Sequence, residues 1–343
     1  MTQKKRTEIA ELGEFGLIDH LTKDFTTSNK NTLRGVGDDA AVIKAGRDDA
    51  MVVTTDSLLE GVDFDLTYFP LKHLGYKAVA VGVSDVLAMN AIPEQVMISL
   101  GVSSKLPVEA LEDLYEGVKF ACDEMGVDMV GGDTTASMTG LVINITTIGR
   151  AKRKAISYRS GAQFNDLICI TGNLGAAYMG LHLLEREKRV LRDVQNPEPQ
   201  FAGYEYLLQS YLKPRARKDI VEALAAEGIV PTSMIDISDG LASEVLQICK
   251  ASKCGARIYL ERIPIAKQTS ALAEEMHIDP VVAALNGGND YELMFTVPLA
   301  MQEQVMSMGL VDIIGHITRE STGAYLVTPD GSDIKLRAQG FKE

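Results

Sequence analysis

Apolar positions recur at helical spacing through residues 7–25 (Ile9, Leu12, Phe15, Ile18, Leu21), so the chain is expected to open with an amphipathic helix. "AMVVTTDS" (50–57) then reads as a strand, and "LKHLGYKAVAVGVSDVLAM" (71–89) as a long, largely buried helix that tolerates its glycines. "EQVMISLGV" (94–102) is a strand, and Pro107 opens a helix that Gly126 closes. "DMVGGDTT" (128–135) and "LVINITTIGRA" (141–151) follow as strands, the second rich in β-branched residues. The basic, irregular stretch 152–166 interrupts this alternation and is the expected domain junction. The second half restarts with a strand at 166–172, a helix at 175–192 and a loop at "NPEPQ" (196–200). Strands are expected at 233–238, 256–263, 291–297 and 311–317, with helices between them. The order fits an α/β (mixed α+β) chain of two domains, 1–151 and 152–343.

Length agrees with two domains, because single cores stop growing near ~250–300 residues and this chain has 343. A net charge of −13 argues against a general nucleic-acid surface. Glu8, Glu11 and Glu14 break any apolar signal core at the N-terminus. No apolar run approaches the ~18 residues of a membrane helix. Cys122, Cys169, Cys249 and Cys254 form no CxxC pair, so a reducing, cytoplasmic compartment is expected.

Within this pattern, aspartate recurs at the polar ends of small or apolar runs. "RGVGDDAAVI" (34–43) sets Asp38 and Asp39 between a glycine turn and a strand-like run. "VVTTDSL", "VGVSDVLAM", "VGGDTTAS" and "MIDISDGL" repeat the arrangement at Asp56, Asp85, Asp133, Asp236 and Asp239. Gly35, Gly37 and Ala40 match a dinucleotide fingerprint, but the polar stretch before them and the strand-like stretch after them are the wrong context. No Gly-Lys pair exists for a P-loop, the five histidines are scattered, and no GxSxG elbow occurs. "DFDLT" (63–67) matches an aspartyl-phosphate nucleophile loop, yet Glu60 and Gly61 stand where its buried strand should be, and Ser137 where its partner acid should be.

Oxygen ligands remain. Thr54, Thr55 and Asp56, or Ser238 and Asp239, suit hard divalent cations, magnesium above all. Any one such aspartate is most simply a turn or cap residue. Several in one cleft are different, since unit charges ~4 Å apart repel by about 4 kcal/mol at an effective dielectric of ~20. A cluster therefore calls for cations. The basic residues Lys152, Arg153, Lys154 and Arg159 suit either nucleotide phosphates or a solvated linker.

"GDDAAV", "TTDSLLEGVDF", "VSDVLAMNAIPE", "GGDTT", "YRSGA", "IDISDGLASE" and "GGNDYELMF" stand in the order and approximate spacing of the thiamine-monophosphate kinase family, which the chain resembles from about residue 11 to its C-terminal "GF". That family lies in the superfamily of aminoimidazole-ribonucleotide synthetase and selenophosphate synthetase. The resemblance implies a two-domain subunit of the aminoimidazole-ribonucleotide-synthetase-like type, dimeric through its N-terminal domain, with ATP in a cleft between domains. It implies direct transfer of the ATP γ-phosphoryl group to thiamine monophosphate, with several Mg²⁺ ions and potassium as a further candidate ion. Asp39, Thr54, Thr55, Asp56, Asp85, Asp133, Asp236 and Asp239 would be metal ligands, and catalysis would rest on Asp39, Asp56, Asp85, Asp133 and Asp236. Gly132, Asp133, Arg159 and Ser238 would meet the nucleotide; Asp63, Asn289 and Phe341 would meet the acceptor. Asp38 would only shape the turn.

Two departures stand out against that family's pattern: Asp63 where it commonly has His, and Asn289 where it commonly has Glu. One explanation is an exchange of charge, with Asp63 supplying the negative group near the cationic thiazolium. A selenophosphate synthetase would need a reactive Cys near the N-terminus, and the first here is Cys122. Another ATP-dependent enzyme of the superfamily, or a non-catalytic nucleotide- and divalent-binding regulator, are the alternatives.

Overall fold

The computed structural model describes residues 9–192 and 199–338. Phe341 and residues 196–198 of the expected loop lie outside them. Among the described residues the chain forms two mixed sheets, each with helices against it.

The first sheet contains β1 (Thr32–Arg34), β2 (Ala41–Lys44), β3 (Asp49–Leu59), β4 (Ile92–Val102), β5 (Asp128–Ala136) and β6 (Val142–Lys152). Its order is β1-β2-β3-β6-β4-β5, antiparallel except for the β4–β5 pair. Along β3 and β6 burial alternates with the two-residue period of a half-covered sheet. The covered face meets α2 (Leu71–Ala88), backed by α3 (Val108–Met125). The glycines inside these helices have a packing reason. A Cβ on Gly75 would lie 2.0 Å from the Leu114 carbonyl oxygen, and one on Gly117 would lie 1.9 Å from that of Lys72. Two glycines thus let two helix backbones touch. Gly126, left-handed at φ 68°, ends α3 as expected.

The second sheet comprises β7 (Leu167–Thr171), β8 (Ser233–Asp236), β9 (Cys254–Tyr259), β10 (Leu293–Val297), β11 (Val311–Arg319), β12 (Ala324–Val327) and β13 (Asp333–Lys335), in the order β13-β12-β9-β11-β7-β10-β8. β7, β8 and β10 are buried along their whole length, which explains why β7 and β10 read as nearly continuous apolar runs and not as alternating ones. Leu167, Cys169, Met234 and Phe295 join the core built around α2, while Ile168, Ile170, Ile235 and Met294 form a second core. The second core is covered by α7 (Leu241–Ser252), whereas α4 (Ala176–Leu191), α5 (Glu205–Leu212) and α6 (Lys218–Ala226) lie on the side of the first. Helices α8 (Lys267–Glu275), α9 (Pro280–Asn286) and α10 (Gln302–Ser307) complete the chain.

The opening helix is shorter than the apolar spacing suggests. A 3₁₀ turn at Ile9–Glu11 precedes α1 (Gly13–Thr22), and the left-handed Gly13 (φ 68°) separates them. None of the residues of α1 is fully buried; Leu12, Phe15 and Leu17 are half-buried, while Ile18 and Leu21 of its apolar stripe are exposed. The short strands β1, β12 and β13 carry too few residues to show a period, and were not foreseen. The "DFDLT" stretch is a run of turns and not the end of a buried strand. No helix among the described residues is long and apolar enough to cross a membrane.

Candidate functional site

Three segments far apart in sequence meet at one point. Asp39 ends the turn before β2, Asp85 lies in the last turn of α2, and Asp236 is the last residue of β8. One carboxylate oxygen from each lies within 4.8 Å of the other two. Hydroxyls fix two of these groups: Ser84 donates to Asp236 at 2.5 Å and Thr54 to Asp85 at 2.6 Å. Arg159 fixes the third, donating Nε and a terminal nitrogen to Asp39 Oδ1 at 3.1 and 2.6 Å. The adjacent carboxylate does different work. Asp38 accepts the Arg159 backbone N–H at 2.9 Å and pairs with Arg34, so it ties the turn to the 152–166 segment. Paired aspartates before a strand are thus one anchor and one cluster member.

Such a group is unfavourable as it stands. Burial, followed by the charges of Asp56, Asp236 and Asp39, holds the Asp85 carboxyl well above the usual carboxylate range. Burial and Asp39 push Asp236 up to about 7, and burial pushes Asp56 up to about 6. Glu244, buried on α7 and accepting the Asp239 N–H at 3.0 Å, is raised by burial and by Asp239 and Asp236. Oδ2 of both Asp39 and Asp56 is buried without a hydrogen-bond partner. Buried, unpartnered anionic oxygens are what a hard divalent cation satisfies, so the residues present fit magnesium.

The remaining sequence candidates divide by sheet face. Thr54 and Asp56 pair across the ladder with the buried Thr147 and Ile145, so both point to the α2 side with the cluster. Thr55 pairs with Thr146, and its hydroxyl accepts from that residue at 3.3 Å on the opposite, open face. Asp133 shares a row with Ser99, Asn144 and Ser57 and also points to the open face. Three strand spacings separate it from β3, roughly 14 Å at ~4.8 Å each. Gly132, beside it, lets β5 close on β4, since a Cβ there would lie 1.9 Å from the Ile98 carbonyl oxygen. Ser238 and the exposed Asp239 follow β8 on a loop whose Ser238 carbonyl accepts the Asn289 N–H at 2.7 Å.

Asp63 caps its own turn, accepting the Leu59 N–H at 2.8 Å. Beneath it lies a residue that sequence reasoning missed. Lys77 is fully buried, its Nζ lacks a hydrogen-bond partner, and it sits 4.0 Å from the centre of the Tyr211 ring. Burial pushes its ammonium down to about 7, opposed by the charge of Asp63. A lysine inside an apolar helix run gives no sign of this in one dimension. Ser84 was more visible, because Ser84-Asp85 repeats the Ser238-Asp239 pairing.

Residues 37–151 match the model for the AIR synthase related protein N-terminal domain, and 165–327 the corresponding C-terminal domain. The thiamine-monophosphate kinase of Buchnera aphidicola subsp. Schizaphis graminum is 35% identical over 340 residues, covering 96% of this chain and 98% of that protein. The Bacillus subtilis enzyme of the same name is 30% identical over 335 residues, covering 96% and 99%. Among solved structures, AaThiL complexed with AMPPCP and TMP has a TM-score of 0.82 at 31% identity, covering 98% of this chain and 99% of that one. The chain belongs to the thiamine-monophosphate kinase family.

Proposed function

We propose that the chain transfers the γ-phosphoryl group of ATP to the phosphate of thiamine monophosphate, giving thiamine diphosphate and ADP. The observation that carries this reading is the convergence of Asp39, Asp85 and Asp236 from both halves of the chain. The acceptor oxygen is already anionic, so no side chain need remove a proton to make a nucleophile. The obstacle is the approach of two polyanions in line, and phosphoryl transfer depends chiefly on positioning and charge neutralisation. Asp39, Thr54, Asp56, Asp85 and Asp236 would hold magnesium here, with Asp239 as a further ligand from the loop after β8; Thr55 and Asp133, on the open face, would serve as ligands only to a separate ion there. When bound, the ions supply the positive charge that offsets the phosphates. Arg159 holds Asp39 in place and brings a guanidinium to the same cleft, where Gly132 and Ser238 would meet the nucleotide.

The dimer belongs to this reading. Ile43, Met51, Val53, Leu59, Met97 and Ile148 lie on the sheet face away from α2, which no helix among the described residues covers. A half-apolar open face of that kind calls for a second copy. We place the domain boundary after residue 151, one residue before β6 ends and the irregular segment leading to β7 begins. The four unbridged cysteines support a reducing, cytoplasmic location.

Incubation with ATP, Mg²⁺ and thiamine monophosphate should yield thiamine diphosphate on chromatography, and exchanging K⁺ for Na⁺ in the same assay tests the potassium requirement. ATP binding without product would instead mark a regulator. Arg159→Lys should raise the Mg²⁺ concentration for half-maximal activity about tenfold, because a lysine cannot reproduce the two-nitrogen grip on Asp39. An unchanged Mg²⁺ curve would sever that link.

A further inference from the structure

The segment Asn289–Asp290–Tyr291 is left-handed at two residues that are not glycine, Asn289 at φ 62° and Tyr291 at φ 52°. For an aromatic residue this is a genuine outlier, and such conformations persist where surrounding structure dictates them. Here two backbone bonds do so. The Asn289 N–H donates to the Ser238 carbonyl at 2.7 Å and the Tyr291 N–H to that of Ile237 at 2.9 Å, stitching the segment to the loop that follows Asp236. Asp290 turns the other way and accepts the N–H groups of Gly175 and Ala177 at the start of α4. The strained backbone therefore keeps Asn289 and Tyr291 together.

Their side chains meet. The Tyr291 hydroxyl donates to Asn289 Oδ1 at 3.3 Å. Tyr291 is buried, and the charges of Asp236, Asp56, Asp85 and Asp63 all bear on its phenol. Its phenol thus feels the charge of both the metal cluster and Asp63, and in that negative surrounding it stays protonated, a donor. Because Oδ1 takes this bond, the two Nδ2–H donors of Asn289 are left available for a ligand.

We infer that Tyr291 is a positioning residue for the acceptor: its O–H orients the Asn289 amide, so the pocket offers N–H donors to a hydrogen-bond-accepting group of the substrate, a phosphate oxygen or a ring nitrogen. Of the acceptor residues Asp63 and Asn289, negative charge for a cationic ring then falls to Asp63. This rests on the kinase reading above.

The test is a steady-state double-mutant cycle with Tyr291→Phe and Asn289→Gly, glycine being chosen because it accepts φ 62° without strain. Tyr291→Phe keeps the ring and should raise KM for thiamine monophosphate about tenfold, with kcat changed less than about threefold and KM for ATP less than about twofold. Asn289→Gly should raise the same KM, and the double variant should be no worse than Asn289→Gly alone. An unchanged acceptor KM in Tyr291→Phe, or single effects that multiply in the double variant, overturns the positioning role. Should Tyr291→Phe fold poorly by thermal melting, the inference stands on Asn289→Gly, whose failure to move the acceptor KM also overturns it. A wild type that binds ATP yet never converts thiamine monophosphate removes the kinase reading and this one with it, a result distinguishable from both.

Discussion

Asp236→Asn should lower turnover by roughly a hundredfold to a thousandfold while raising the melting temperature of the metal-free protein by a few degrees. The two effects have one cause. Asp39, Asp85 and Asp236 bring oxygens within 4.8 Å. Unit charges at that distance repel by about 3 kcal/mol at an effective dielectric of ~20. An amide keeps the shape and the acceptor oxygen for Ser84 but removes one charge, so it relieves the apo protein and weakens the cation site. The pH dependence follows with a definite sign. Asp236, held up at about 7, and Asp56, held up at about 6, bind protons more tightly folded than unfolded. Their contribution to stability is therefore fully present below the ordinary carboxylate value and is lost as pH rises towards 7. In chelator, the wild-type melting temperature should fall between pH 5 and about 7.5. Mg²⁺ should restore more at the upper end, and Asp236→Asn should flatten the slope. A variant less stable than wild type in chelator, or a flat wild-type profile, would show that the carboxylates do not repel one another there.

This opposition of stability and function is also what made the site legible in part. Burying charge has no structural benefit, so aspartates embedded in "VGVSDVLAM" and "MIDISDGL" stand out against their apolar neighbours, and α2 and β8 bring Asp85 and Asp236 together. The elements themselves were readable where the period was long: α2, α3, β3, β4 and β6 lie where the apolar pattern puts them. What the pattern could not carry is sidedness between distant strands. Thr55 and Asp56 are neighbours in sequence yet face opposite sides of the sheet, and Asp133 joins Thr55 only through a ladder of three other residues. Tyr291 was equally hidden, because its importance lies in a left-handed backbone and a bond to a residue two positions away, neither of which has a sequence period.

The separation of Asp133 from the cluster leads to the second large effect: Asp133→Asn and Asp236→Asn, each nearly inactive alone, should recover activity when co-expressed. β5 is an edge strand exposed along almost all of its length, and Asp133 points to the sheet face that a second copy would cover. If the Asp133 of one copy supplies a separate metal ligand to the phosphate site of the other, a mixed dimer keeps one intact site, made from the Asp236 of the first subunit and the Asp133 of the second. Random pairing makes half the dimers mixed, each with one of two sites working, so activity should return to about a quarter of wild type. A site built within one subunit predicts no recovery at all, because every subunit then carries a broken one. Differently tagged copies purified through both tags would isolate the mixed dimer, where recovery should reach about half. Activity no greater than that of the separate variants would place Asp133 back in its own chain's site and require β5 to move across the sheet edge to reach it.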